Sequence, residues 1–450
     1  RCRACSLAFP RSPKMILGTK HLGVVRNGLR SYMSTLAGKK TELPNSPIGK
    51  FIEPFIQQNL HRDAVSFPHQ EYRWTHNEFL KHTNALAAGL SAIRNPVGKR
   101  LLLTTQNDVE SAVSFLGAAR AGLQVVPFSN KSTTDQIFPA LRDFKIRTFL
   151  LPERIGSREF LKEAIASVPT LDLRTTFSEP IRCLDLPELR SLIHTGEEFD
   201  QYAPMLQEIL IYDPLPSPIP KIEKGLTGNT TYALNYASSS DSSKFIKWSH
   251  NSVLAGAVST ADTLGLSKEE RVLFADDFST LSGFSFFLGA LSKTSFFVIP
   301  SVWSDPVLTV EHTAKEKAST LFTNPDALQA TLGLPNPAGF DTSNLQRVVI
   351  RQSPGATVSA STLEKAKTYF PSHVRFFSAF YVPEALSPVF FGEITNVNTL
   401  GSPASNIQVT SSSGSVTAQG PQFGQSDLNA SGKFVIPNVK PGSNGEFVLA

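Results

Sequence analysis

Asn235-Tyr236-Ala237-Ser238-Ser239-Ser240-Asp241-Ser242-Ser243-Lys244-Phe245-Ile246-Lys247-Trp248-Ser249-His250 is the stretch on which the reading of the fold turns. A β-prone run, Thr231-Tyr232-Ala233-Leu234, leads into it, and a helical pattern begins at His250. The layout predicts a strand, a Ser-rich loop and a helix, the frame in which a loop faces phosphates. Such a loop normally needs glycine, which lets successive N–H groups turn inward and the backbone approach the phosphates closely. No glycine occurs between Gly228 and Gly256. The frame of a nucleotide loop is present without the residues that usually make it work.

Upstream of this stretch, strands alternate with helices. Thr75 with Glu78 three residues on predicts a capping box, opening a helix with Phe79, Leu80, Leu86, Ala87 and Leu90 at helical spacing. The strand Arg100–Thr104, a helix from Val109 to Ala121 and the strand Leu123–Pro127 follow, then a helix over 134–144 and the strand Thr148–Leu151. Downstream the alternation resumes. Helices are predicted over 251–264, 283–291, 307–318, 325–332 and 359–370, between strands at Val272–Phe274, Ser295–Ile299, Ser319–Phe322, Arg347–Arg351 and Val374–Phe377. Strands separated by helices of this length mean βαβ units and parallel sheets. Tyr212-Asp213-Pro214-Leu215-Pro216-Ser217-Pro218-Ile219-Pro220 reads as a proline-rich linker between two such units. From Leu400 the composition turns to Ser, Gly, Asn and Thr, with short alternating pieces. The fold class expected is α/β: two αβ subdomains with largely parallel sheets, residues 41–225 and 226–400, plus a small β-rich piece at 401–450.

Residues 1–40 carry nine Lys or Arg and no acid, with Ser and Thr interspersed among Leu and Val. That is the signature of a mitochondrial targeting presequence. The other reading is a basic tail for nucleic acid or anionic lipid. The chain holds 43 Lys+Arg against 38 Asp+Glu, and setting the nine aside leaves 34 against 38. No basic face follows, and no nucleic acid partner is expected. Three cysteines exclude a disulfide scaffold, and Cys2 with Cys5 lacks the second pair of a metal site. No metal and no cofactor is expected.

The order of the pieces resembles the AMP-forming adenylating family, which includes acyl-CoA synthetases. The likeness covers most of residues 51–410. Phe115-Leu116-Gly117-Ala118-Ala119-Arg120-Ala121-Gly122 is similar to the family's first βαβ segment, Ser353-Pro354-Gly355-Ala356 to its Gly-Gly-Ala-Pro turn, and Gly401-Ser402-Pro403 to its Gly-x-Pro. In the central loop Tyr236, Ser238, Lys244 and His250 match the family motif, while its glycines and proline do not. The adenine and magnesium motif falls on Phe380-Tyr381-Val382-Pro383-Glu384, keeping Glu384. The acyl-site segment falls near Asp277-Phe278-Ser279-Thr280, without its His, and Asp427 is the match for a ribose-binding Asp.

The resemblance implies a remnant nucleotide site at Ser238, Lys244 and Glu384. The family's C-terminal lid, with its adenylating lysine, would follow Ala450. With glycines and lid absent, the reading is a protein that is not an enzyme and has no catalytic residue. It is expected to serve as an accessory subunit of a large mitochondrial complex, respiratory chain or ATP synthase. It would sit on the matrix side of the inner membrane, with other protein subunits as partners. Membrane association would come only through those partners, and an acyl chain or lipid is a possible bound ligand. The alternative is a divergent AMP-forming ligase, or an acyl- or nucleotide-binding protein.

Overall fold

The computed structural model describes residues 34–449, apart from 94, 130, 169–170, 173–179, 199, 201–202, 239–240, 279, 336–339, 413–414, 425–432, 437 and 443–445. Of the presequence expected over residues 1–40, residues 1–33 lie outside the described residues, as does Asp427, whereas Ser34–Ala37 is a strand paired with Gln408–Ser412.

Two sheets share one layer of helices. In the first sheet Asp241–Ser249, Thr231–Ser238, Gln124–Ser129, Arg100–Thr105, Thr148–Leu151 and Ser191–His194 lie side by side. All neighbours are parallel except the first pair. The second sheet has eleven strands. Its centre is parallel: Asp63–Phe67, Phe296–Val298, Arg271–Ala275, Thr320–Thr323, Arg347–Gln352 and Arg375–Phe380. Antiparallel strands close both edges, Tyr72–Thr75 on one side and Phe390–Glu393, Thr399–Pro403 and the last two strands on the other. A separate four-stranded antiparallel sheet joins Ser34–Ala37 to Gln408–Ser412, Ser415–Gln419 and Lys433–Ile436. This is the α/β class with a small β-rich C-terminal piece.

The helices Ile48–Gln57, His76–Ala92, Val109–Arg120, His250–Thr263 and Leu281–Ser292 fill the space between the two large sheets. One continuous core joins Leu101, Leu103 and Val125 of the first sheet to Val272, Phe274 and Phe322 of the second through these helices. Val109–Arg120 and Leu281–Ser292 are buried nearly all round, as the middle of such a layer requires. Thr75 and Glu78 form the expected capping box, with Glu78 N–H donating to Thr75 Oγ1 at 3.3 Å and Thr75 N–H to the Glu78 carboxylate at 2.8 Å.

The strands do not divide at residue 225. Thr231–Ser238 pairs with Gln124–Ser129, and Asp63–Phe67 pairs with Phe296–Val298, so each half of the chain supplies strands to both sheets. The Ser-rich stretch also differs from the reading of its sequence. The chain makes an antiparallel hairpin with Ser238 opposite Asp241 and Tyr236 opposite Phe245, and Lys244 lies within the second strand. Ile246 and Trp248 are buried while Lys247 between them is exposed, the alternation of a strand with one covered face. An exposed lysine also suits an edge strand, which must discourage further pairing.

Helices His250–Thr263 and Leu281–Ser292 approach closely at Gly289. A Cβ there would stand 2.5 Å from the Ala257 carbonyl oxygen. Gly289→Ala is therefore expected to push the helices apart and destabilise the protein by about 1–3 kcal/mol. A lowered urea midpoint at unchanged slope would show this, and an unchanged midpoint would show that the helices part freely.

Candidate functional site

The register of the second sheet assembles a polar row at the carboxyl ends of its parallel strands. Ala275 pairs with Thr323, and Thr323 with Ile350. The residues one step on, Asp276, Asn324 and Arg351, therefore stand side by side. Asn324 Nδ2 donates to Asp276 Oδ1 at 2.8 Å, and Arg351 Nη1 donates to Asp276 Oδ2 at 3.1 Å. Arg351 Nη2 donates to Ser282 Oγ at 3.2 Å. The guanidinium lies 5.1 Å from the ring centre of Tyr381, which follows the next strand. Burial works against the charge of Arg351, but Asp276 and Tyr381 outweigh it and hold the guanidinium firmly protonated. The same surroundings push the Tyr381 hydroxyl well above its ordinary range, burial first.

Asn107 brings the first sheet to this row. It follows the strand Arg100–Thr105, its Nδ2 donates to the Asp276 carbonyl at 2.9 Å, and its Oδ1 accepts from Phe278 N–H at 2.8 Å. The carboxyl ends of both sheets thus meet at one crevice. Ligands of open α/β sheets bind outside the carboxyl ends of the strands, and here those ends carry a cation, a buried carboxylate and two amides.

Glu384 stands three residues beyond Tyr381 and is half-buried, and desolvation raises its carboxyl above the ordinary range. Its carbonyl accepts from Gly424 N–H at 3.1 Å. A Cβ on Gly424 would meet Ile246 at 2.1 Å and Trp248 at 2.9 Å, so Glu384 and the hairpin lie on either side of one glycine. Ser238 and Lys244 belong to the paired strands of that hairpin, and their side chains lie outside the described residues. Tyr236 packs into the outer core, its ring 4.7 Å from Phe144, with its hydroxyl 3.4 Å from Asp143 and pushed up to about 12 by burial and then Asp143. His250 opens its helix and is buried. Its Nδ1 accepts from Ile48 N–H at 3.3 Å, and burial lowers the imidazole to about 4. That geometry is a structural one.

A second cleft, of about 360 Å³, opens at the carboxyl ends of the first sheet. Asp108, Glu110, Glu153, Glu197 and Glu198 line it with one cation, Arg154. Burial and then Asp108 push Glu110 up to about 7. A cleft of this sign repels phosphates, so it is a poor place for a nucleotide even though it is roomy. Among the described residues no group of three or more His, Cys, Asp or Glu stands at metal-ligand spacing.

Asp276, Asn324, Arg351 and Asn107 are not legible as site residues from sequence motifs. A weak signal exists in Arg351, which breaks the apolar run Val348-Val349-Ile350, and in the acid pair Asp276-Asp277 that ends another apolar strand.

Comparison with known proteins places this geometry in context. A family model described as AMP-binding enzyme matches residues 53–412. The acyl-CoA ligase sidI of Aspergillus fumigatus is 26% identical over 296 residues, 65% of this chain and 48% of that protein. The mitochondrial medium-chain acyl-CoA ligase ACSF2 of Danio rerio is 21% identical over 333 residues, 69% of this chain and 52% of that protein. The N-terminal domain of FACL13 from Mycobacterium tuberculosis, solved with an inhibitor, has a TM-score of 0.74 at 15% identity, covering 90% of this chain and 99% of that one. That last likeness is one of fold. The chain spans about half the length of the curated relatives it matches. These matches correct the reading of a chain that is not an enzyme: its family is an enzyme family and its relatives are acyl-CoA ligases.

Proposed function

The chain belongs to the AMP-binding enzyme family, and from that premise we propose that it acts as a divergent AMP-forming acid–CoA ligase. The row Asp276–Asn324–Arg351 under Tyr381, at the meeting of both sheets' carboxyl ends, carries this reading. A carboxylate oxygen of the acid attacks the α-phosphorus of ATP. The bond to pyrophosphate breaks, and an acyl adenylate remains. The thiol of CoA then gives up its proton and attacks the acyl carbon, and AMP leaves. On this reading the hairpin and Glu384 hold the nucleotide, and Lys244 supplies a cation for its phosphates.

Loss of the loop glycines removes inward-turned N–H donors, each worth roughly 2.7–4 kcal/mol to a transition state where one is preorganised. The ligase is therefore a slow one on this proposal. The acid-free basic N-terminus and the mitochondrial relative support a mitochondrial location. An accessory role in a respiratory-chain or ATP synthase complex rests on lost catalysis, which membership of an enzyme family speaks against.

Thermal shift with ATP–Mg²⁺ tests the reading. Nucleotide at 100 times its Kd is expected to stabilise the protein by roughly 2.7 kcal/mol, a rise of several degrees. Lys244→Ala should weaken nucleotide binding by about 1.5–3 kcal/mol, the range for a hydrogen bond to a charged group. A melting temperature indifferent to ATP, AMP and CoA would end the proposal.

A further inference from the structure

Arg351 and its surroundings bear on which acid the crevice takes, an inference that rests on the ligase reading above. We propose that the acid is short and carries a second polar group, a hydroxyl or a second carboxylate, and that Arg351 and Ser282 recognise that group.

Three observations lead there. The first is the state of Arg351. Its described hydrogen bonds engage Asp276 and Ser282 through Nη1 and Nη2, two of the five N–H donors a guanidinium offers. The side chain keeps 24% exposure, so it is not sealed from solvent. A planar fork with donors to spare suits an oxygen ligand.

The second is the rim. Thr280 Oγ1 and Ser282 Oγ stand 3.1 Å apart beside that fork, on residues that are half-buried. They are donors and acceptors at the edge of the same crevice, and the Asp277–Thr280 segment is the one that resembles the family's acyl-site segment.

The third is what lies beneath. Phe278, Phe284 and Phe287 are fully buried, and Leu281 is 2% exposed. Phe284 stacks on Phe115 at 4.6 Å, and Phe278 meets Phe287 edge-on at 5.6 Å. A long alkyl chain would have to part these rings, and interiors packed this closely tolerate little added volume. It would also lie against Arg351 and strip water from the exposed part of that side chain without replacing its hydrogen bonds. A second polar group on a short acid replaces them.

The test uses the whole chain and calorimetric titration with non-hydrolysable acyl-adenylate mimics, in which a sulfamoyl group replaces the phosphate. The acyl parts are 3-hydroxybutyryl, glutaryl, hexanoyl and palmitoyl, with AMP as a further ligand. The hydroxybutyryl or glutaryl mimic is expected to bind at least about tenfold tighter than the hexanoyl one, as sites built around a polar partner discriminate strongly against its loss. The palmitoyl mimic should be the weakest. Arg351→Leu should bring the polar and hexanoyl affinities together, and Ser282→Ala should narrow the gap in part even if Arg351→Leu does not fold. Equal or tighter binding of the hexanoyl or palmitoyl mimic, with AMP still bound, overturns this inference and leaves the ligase reading standing. A preference unchanged in both variants overturns it as well. No binding by AMP or any mimic overturns the ligase reading and this inference together.

Discussion

Between pH 7 and pH 4 the protein is expected to lose several kcal/mol of folding stability through His76 and His250. Both are buried, at 0% and 1% exposure. Burial lowers each to about 4 from an ordinary 6.5, and Arg62 adds to the effect at His76. A histidine whose folded value is depressed stays neutral in the folded protein and charges in the unfolded chain. Above 6.5 neither state is protonated and the full stability is present. As pH falls from 6.5 towards 4 the unfolded chain binds protons that the folded protein refuses, so stability drops. At 1.36 kcal/mol per unit, each site contributes on the order of 3 kcal/mol. Glu110 acts in the opposite direction, since its raised value of about 7 favours the folded state as pH falls through that point. Urea midpoints at pH 7, 5.5 and 4 measure the balance. His76→Gln and His250→Gln should each flatten the curve, and a variant pair with the same slope as the parent would show the histidines to be bystanders.

The second large effect concerns Arg120. Its side chain is 3% exposed, with Nη2 at 2.7 Å from Glu53 and Nε at 3.3 Å from Glu223, itself 6% exposed. The three residues sit on the helices Val109–Arg120, Ile48–Gln57 and Ile219–Lys224, so one guanidinium ties the end of the proline-rich segment to the central layer. Burial already raises the Glu223 carboxyl above its ordinary range, and Arg120 is the strongest force opposing it. Arg120→Met keeps the stem and removes the charge, leaving a buried carboxylate without compensation. The expected cost is about 3–5 kcal/mol by chemical denaturation. Adding Glu223→Leu should restore much of it, because the cost lies in the orphaned partner. A single-variant loss under roughly 1 kcal/mol would mean that Glu223 finds water or takes a proton at little cost.

The sequence made the alternation of strands and helices visible because that signal is local. The Thr75–Glu78 capping box, the strand at Arg347–Arg351 and the helix after Ser359 all follow from residues a few positions apart. The second strand of the hairpin escaped because serines and a lysine dominate Asp241–Lys244, and only Phe245–Trp248 carries the alternation. Sheet membership escaped for a different reason. Nothing near residue 65 says that its partner is Phe297, or near 233 that its partner is Val125. The site divides the same way. Glu384 is singled out as a candidate by a motif, whereas Asp276, Asn324 and Arg351 become neighbours only through the register of three strands.

That distant pairing bears on how the chain is made. Asp63–Phe67 leaves the ribosome early, yet its parallel partner Phe296–Val298 is roughly 230 residues further on. At about 5–20 residues per second, synthesis needs on the order of tens of seconds to deliver it. Until then Ala64, Val65 and Phe67, all essentially buried in the finished protein, have only the hairpin with Tyr72–Thr75 and the helix His76–Ala92 to cover them. The nascent chain is thus a natural client for holding chaperones throughout that interval.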